Sequence, residues 1–253
     1  MPQDSFQYFI EITKRLRKEC PWDREQTHES IRNSIIEEAY ECVEAIDEHN
    51  MDDFKKELGD LLLQVVFHSN MAEEAGTFTL DDVIKGITKK LIDRHPHVFG
   101  DTKVKGSEHV KQNWEKLKMK EGRTSIVDGV PKEMPGLLRA HRLQDKASKV
   151  GFDWPKKEDV WKKVEEEIGE LQEAIRDNKP EEIEGEFGDL LFGLVNYSRF
   201  LKIDPEHALK LSNQKFITRF QYIEKRLKEM GKDIHSSNLE EMDGLWEEAK
   251  KKL

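Results

Sequence analysis

Cysteine is scarce: Cys20 and Cys42 are the only two in 253 residues, and they are not spaced as a CxxC pair. Neither a disulfide framework nor a zinc knuckle is indicated, and both thiols read as packing residues. No apolar run approaches the ~20 residues that span a bilayer. The densest, Leu61 to Phe67, carries Gln64 inside it. The first twenty residues lack a charged start followed by an apolar stretch and a small-residue cleavage site, so no secretory signal is read and the expected location is cytoplasmic. A GxxxxGK[ST] loop is also missing, which excludes P-loop phosphate chemistry. Basic charge is in deficit: 42 Lys and Arg against 52 Asp and Glu leave a formal net charge of -10. Such a chain repels a polyphosphate backbone, and nucleic-acid binding is not expected.

Strand-like alternation is equally hard to find, whereas Glu, Lys, Leu and Ala dominate, so the periodic segments read as helices and the fold class as all-α. Punctuation is sparse. "EEAGTFTLDD" ends one helix and starts another at Thr79 or Asp81, and "RDNKPEE" does the same near Pro180. The stretches 95–101 ("HPHVFGD") and 122–136 ("GRTSIVDGVPKEMPG") read as non-helical. The second, with three glycines and two prolines, is the candidate linker.

The chain repeats itself. A shift of 129 places Glu37, Glu38, Glu41, Glu44, Ala45, Ile46, Glu57, Gly59, Asp60, Leu61 and Leu62 on identical residues, with no gap from 34 to 70. Further on, Lys90 and Arg94 fall on Lys215 and Arg219, and Trp114 and Lys118 on Trp246 and Lys250. A period this long marks duplicated domains rather than a solenoid. The expected organisation is a first domain over 1–122, a linker over 123–136 and a second domain over 137–253.

Each half carries EExxE, fifteen residues, then ExxD: Glu37, Glu38, Glu41, Glu57, Asp60 and Glu166, Glu167, Glu170, Glu186, Asp189. Spacings of three and four share a helix face, and two antiparallel helices can bring the two clusters together. Periodicity alone would make the first set of acids solvent-facing, opposite a stripe of Ile35, Ile36, Ala39, Cys42, Val43 and Ile46. The helices that follow Asp60 and Asp189 are apolar nearly all round and read as fully buried. Unpaired buried carboxylates are costly, and two like charges about 4 Å apart repel by roughly 4 kcal/mol at an effective dielectric near 20. Converging carboxylates therefore ask for a cation, and an all-oxygen donor set points to Mg²⁺ or Mn²⁺. A di-iron bundle needs ExxH pairs; only "EQTH" at 25–28 fits, and it has no partner.

A carboxylate-bound Mg²⁺ keeps waters and takes phosphates as further ligands, so the substrate class expected is a phosphate ester or anhydride. Lys215 and Arg219, four apart on one helical face, could take the phosphate charge that the metal leaves. Trp246 with Lys250, and the "GFDW" stretch from Gly151 to Trp154, offer flat surfaces for a base.

These features together, EExxE…ExxD with "KFITRF" after it and "CPWDREQTH", "RHPHVFGD" and "VGFDW" in that order, resemble the MazG family of nucleoside triphosphate pyrophosphohydrolases in its two-domain bacterial form. The resemblance covers nearly the whole chain. It implies Mg²⁺-dependent cleavage of NTPs or dNTPs between the α and β phosphates, broad base tolerance, and a homodimer in which helices interlock as four-helix bundles. It also implies metal ligation by Glu167, Glu170, Glu186 and Asp189, and a nucleotide lined by Lys163, Glu166, Lys215, Arg219, Trp246 and Lys250. Glu166 is the expected base or orienting group for the attacking water. The second domain is expected to carry the main activity. The first keeps a possible second site in Glu37, Glu38, Glu41, Glu57, Asp60, Lys90, Arg94, Trp114 and Lys118. The competing reading is a helical regulatory or interaction protein that binds nucleotide without turnover.

Overall fold

Proline and capping residues set most helix starts in a computed structural model, which describes residues 5–253 apart from 108, 111, 112, 115, 116, 118–121 and 123. The chain divides into two units, Met1–Val104 and Lys105–Leu253. The first holds α1 (Ser5–Glu19), α2 (Pro21–Glu25), α3 (Arg32–Asp47), α4 (Met51–Glu74), α5 (Leu80–Arg94) and α6 (Pro96–Phe99). The second holds α7 (Gly136–Ser148), α8 (Lys157–Arg176), α9 (Pro180–Leu201), α10 (Pro205–Glu229), a 3₁₀ turn at Ile234–Ser236 and α11 (Leu239–Lys252). No strand occurs among the described residues.

Thr79 and Asp82 form a capping box at α5, while Asp204 and Asn238 accept backbone N–H groups at the starts of α10 and α11. Pro180 opens α9 where its missing N–H costs nothing. The central hairpin of each unit, α3–α4 and α8–α9, closes through a left-handed residue, His49 (φ 56°) and Asn178 (φ 52°), 129 positions apart. In the second, Lys179 N–H reaches Ala174 O at 3.2 Å and Asn178 N–H reaches Ile175 O at 3.1 Å. These two bonds satisfy carbonyls that the end of α8 would otherwise leave orphaned.

Each hairpin is buttressed from one side. In the first unit α1 lies on α4; in the second α7 lies on α9, and α10 packs on α7 and α11. Arg17 ties the first buttress down. Buried, it donates to the carbonyls of Asp23 and Gln26, pairs with Glu74 at 2.6 Å and lies over the Phe67 ring. Arg17→Ala leaves two backbone carbonyls without their donor and is expected to cost about 2 kcal/mol, read as a lower urea midpoint.

Two expectations change. The helices after Asp60 and Asp189 are not covered all round: Leu58, Leu62 and Val65 on α4, and Phe187, Leu191 and Leu194 on α9, are exposed, as are Ile35, Ile36, Val43 and Ile46 on α3. Residues 96–99 within "HPHVFGD" form one short helix, since Pro96 can open a turn and His95 O accepts from Val98 and Phe99. The described part of 122–136 folds onto α7. There Lys146 Nζ donates to Ile126 O at 2.7 Å, and Asp128 accepts from Thr124 and Ser125.

Candidate active site

Pairing α8 with α9 gathers the second acidic set. One carboxylate oxygen each from Glu167, Glu186 and Asp189 lies within 4.8 Å of the others. Glu167 is buried, with its methylene stem 3.9 Å from where a Gly193 β-carbon would stand. Glu170 adjoins them, and burial, Glu167 and Glu186 raise its carboxyl above the usual range against the pull of Lys163. Lys163, one turn back on α8, binds Glu166 at 2.6 Å and Glu167 at 2.8 Å, and these bonds hold its ammonium well above the ordinary lysine range. The donor set is oxygen only, anionic and crowded, which fits a hard divalent cation.

The first set converges at partly different positions: Glu38, Glu41 and Glu57 bring oxygens within 4.8 Å, with Glu41 in the cluster and Asp60 outside it. Desolvation, Asp60, Glu57 and Glu37 push the Glu38 carboxyl up, and desolvation with Glu41 and Asp60 does the same to Glu57. Ser34 stands where the second copy has Lys163, so this cluster lacks the corresponding ammonium. Lys90 and Arg94 lie on α5, Trp114 falls beyond the first unit's boundary, and Lys118 lies outside the described residues.

The expected phosphate and base residues assemble as a separate group on α10 and α11. The Arg219 guanidinium lies 5.5 Å from the Trp246 ring centre, Phe216 packs on the same ring, and Lys250 pairs with Glu247. Lys215 is exposed on the same helix as Arg219. Within one chain no hydrogen bond or ion pair joins this group to the acidic cluster among the described residues.

A cleft of about 830 Å³ lies beside the second cluster, between α7, α8, α9 and the loop at 151–154. Lys163, Glu167 and Asp189 form part of its wall.

A family model described as the MazG nucleotide pyrophosphohydrolase domain matches the chain twice, over residues 26–99 and 156–223. The chain belongs to the MazG family. It is 46% identical to the nucleoside triphosphate pyrophosphohydrolase/pyrophosphatase MazG of Thermotoga maritima, over 97% of this chain and 95% of that protein. It is 38% identical to the nucleoside triphosphate pyrophosphohydrolase of Escherichia coli K12, over 96% and 95% respectively. YabN of Bacillus subtilis, a protein named as uncharacterized, is 49% identical over 97% of this chain and 51% of its own length.

Each MazG match contains one acidic hairpin, so the duplication seen in the sequence is a duplication of this domain. The sequence points to the carboxylates and to the stretch from Gly151 to Trp154, but not to Gln144, Gly193, Asn196 and Arg199, which also line the MazG cleft. The signal was present in the repeat. Where the acids match, the positions one to three turns further along α4 and α9 differ sharply in size: Gln64 against Gly193, Phe67 against Asn196, Asn70 against Arg199.

Proposed function

We propose that this MazG protein is a divalent-metal-dependent enzyme that cleaves nucleoside triphosphates between the α and β phosphates, giving nucleoside monophosphate and pyrophosphate, and that the second unit is its working site. The observation that carries the reading is the Glu167–Glu186–Asp189 triad opening into a cleft large enough for a nucleoside. Relatives that the chain matches over nearly their full length carry the name of this activity.

Glu167, Glu186, Asp189 and Glu170 would hold Mg²⁺, with Mn²⁺ able to replace it. The ion, when bound, supplies Lewis-acid polarisation of phosphoryl oxygen and a nucleophilic water at neutral pH. The chain's own groups do the rest. Lys163 fixes Glu166 and Glu167 by two short ion pairs, so Glu166 is held in place beside the ligands without being needed as one. Glu166 takes a proton from the attacking water as the new oxygen bond to the α phosphorus forms. The bridging α–β bond breaks and its electron pair leaves with pyrophosphate, whose charge Lys215 and Arg219 offset. Glu166→Gln is expected to lower turnover about a hundredfold while Mn²⁺ affinity, measured by electron paramagnetic resonance, stays within about twofold.

The uncovered apolar faces of both hairpins support a homodimer in which two copies complete each other's bundles. Such a dimer offers a route by which α10 of one copy could approach the acids of the other. Leu194→Lys on the exposed face of α9 is expected to halve the mass seen by light scattering during gel filtration. No described helix is long and apolar enough to cross a membrane.

Incubation of the purified chain with an NTP and Mg²⁺, followed by product identification, tests the reaction. NMP with pyrophosphate supports it, NDP with phosphate makes it a different hydrolase, and bound but unchanged nucleotide makes it the regulatory binding protein.

A further inference from the structure

His28 and His68 form a pair that belongs to neither acidic cluster. Their rings are within 14° of parallel, their Nδ1 atoms lie 2.7 Å apart and their centres 5.0 Å apart. That centre separation is the largest such a contact allows, so the rings meet edge to edge, nitrogen to nitrogen, rather than face to face. This is the geometry of an N–H···N hydrogen bond with one proton between the two rings. The second unit has no such pair: Tyr197, packed on Trp161, stands at the place of His68, and Lys157 at that of His28.

The pair fastens the entry to α3, the helix that carries Glu37, Glu38 and Glu41. That helix starts without a side-chain cap at Ile31. Residues 27–30 are otherwise bonded among themselves and to their flanks: Thr27 and Ser30 each accept the other's backbone N–H, and Ser30 Oγ donates to Gln26 Oε1 at 2.8 Å. Among the described residues, His28 makes the one hydrogen bond from this stretch to another helix. Arg17 holds the carbonyl of Gln26 on one side, and Ile31 packs on Phe67 and Met71 on the other. Loss of the pair therefore frees the stretch without unseating its ends.

Geometry limits the closed pair to one imidazolium. His28 is exposed, so it can take a proton from solvent at Nε2 and keep its Nδ1–H on His68. His68 is half-buried, and its Nε2 is shut off from solvent with no hydrogen-bond partner. Its imidazolium would carry two N–H groups, one facing the N–H of His28 and one without an acceptor. Neighbouring charge does not relieve this. Glu29 stands beside His28 and is itself offset by Arg32, Gln64 one turn before His68 is uncharged and bonded to Glu38, and Lys14 and Arg17 on α1 are paired with Glu73 and Glu74. Burial, and then the charge of His28, hold the His68 imidazole below the ordinary histidine range.

We propose that His28 and His68 form an acid-operated latch on the entry to α3, closed while at most one of the two rings is cationic and open when both are. The sign follows from proton counting. Closed, the pair binds at most one proton beyond its neutral state; open, each ring titrates near the ordinary value of about 6.5 and the pair binds two. The latch is thus fully present above that value and is lost as pH falls below it, by about tenfold per pH unit for the one extra proton.

Hydrogen exchange of the full chain tests this, read by mass spectrometry on peptides covering the amides of Thr27, Ser30, Ile31 and Ser34 and corrected for the direct effect of pH on exchange. Between pH 7.5 and pH 5.5 the wild type is expected to exchange about tenfold faster there. His28→Ala, at an exposed side chain, is expected to exchange about fivefold faster than wild type at pH 7.5, as loss of one hydrogen bond does, and to show no further step at pH 5.5. His68→Phe is expected to lose the step as well; if it fails to fold, His28→Ala decides alone. A wild type with no step between the two pH values overturns the latch. A step of undiminished size in folded His28→Ala assigns the effect to other groups, such as the Glu38 carboxyl, and overturns it too.

Discussion

Asp189→Ala is expected to reduce pyrophosphate release from NTP by about a hundredfold or more, and Asp60→Ala by less than about twofold. The two aspartates occupy matching positions in the repeat, but only Asp189 stands within its carboxylate trio. Asp189 is one of three carboxylates within 4.8 Å of one another, and it borders the open cleft with Lys163 in the same wall. On the proposed reading its removal would take a ligand from the divalent cation, whose charge stabilisation is worth several kcal/mol, and each 1.36 kcal/mol is tenfold in rate. Asp60 borders a cluster that Gln64 adjoins, with Ser34 in place of the lysine. The measurement is pyrophosphate released per unit time by the full chain at saturating Mg²⁺. The reverse ranking would move the chemistry to the first unit.

Leu227→Ala is expected to have the largest effect on stability. Leu227 is 1% exposed and, with Ile223 and Leu245, forms the buried seam between α10 and α11, with Trp246 and Phe220 packed against it. Truncation removes buried methyl groups and leaves a hole that two helices in contact cannot fully close, a loss of about 3 kcal/mol. For a unit of this size that lowers the melting temperature by roughly 10 °C, measured by calorimetry. The same seam places the Trp246 ring under Arg219, so the variant should also weaken NTP binding at temperatures where the unit is still folded.

Helix starts were legible because they are written locally: Thr79 with Asp82, and Pro180 at a first turn, act through bonds to residues three or four positions away. The acidic hairpins were legible because the repeat shows the same acids twice at helical spacing. Hydrophobic circumference was misleading for Leu62, Leu191 and Leu194, since an apolar face states only that something covers it and not that the same chain does. The cleft could not be read from composition or period. It depends on small side chains at Gly193 and Asn196, and absent volume leaves no periodic signal.

The hairpin turn of the second unit has a consequence for how this protein can be altered. Asp177, Asn178 and Lys179 leave no slack between Arg176 and Pro180, with one residue left-handed and two backbone bonds fixing the exit of α8. Surface turns usually absorb inserted residues, but this one acts as an angular ruler. One helical step is about 100° and 1.5 Å, and an insertion that shifted α9 by a single step would carry Glu186 and Asp189 out of register with Glu167. The turn farthest from chemical suspicion is thus the place where a length change would be least forgiven.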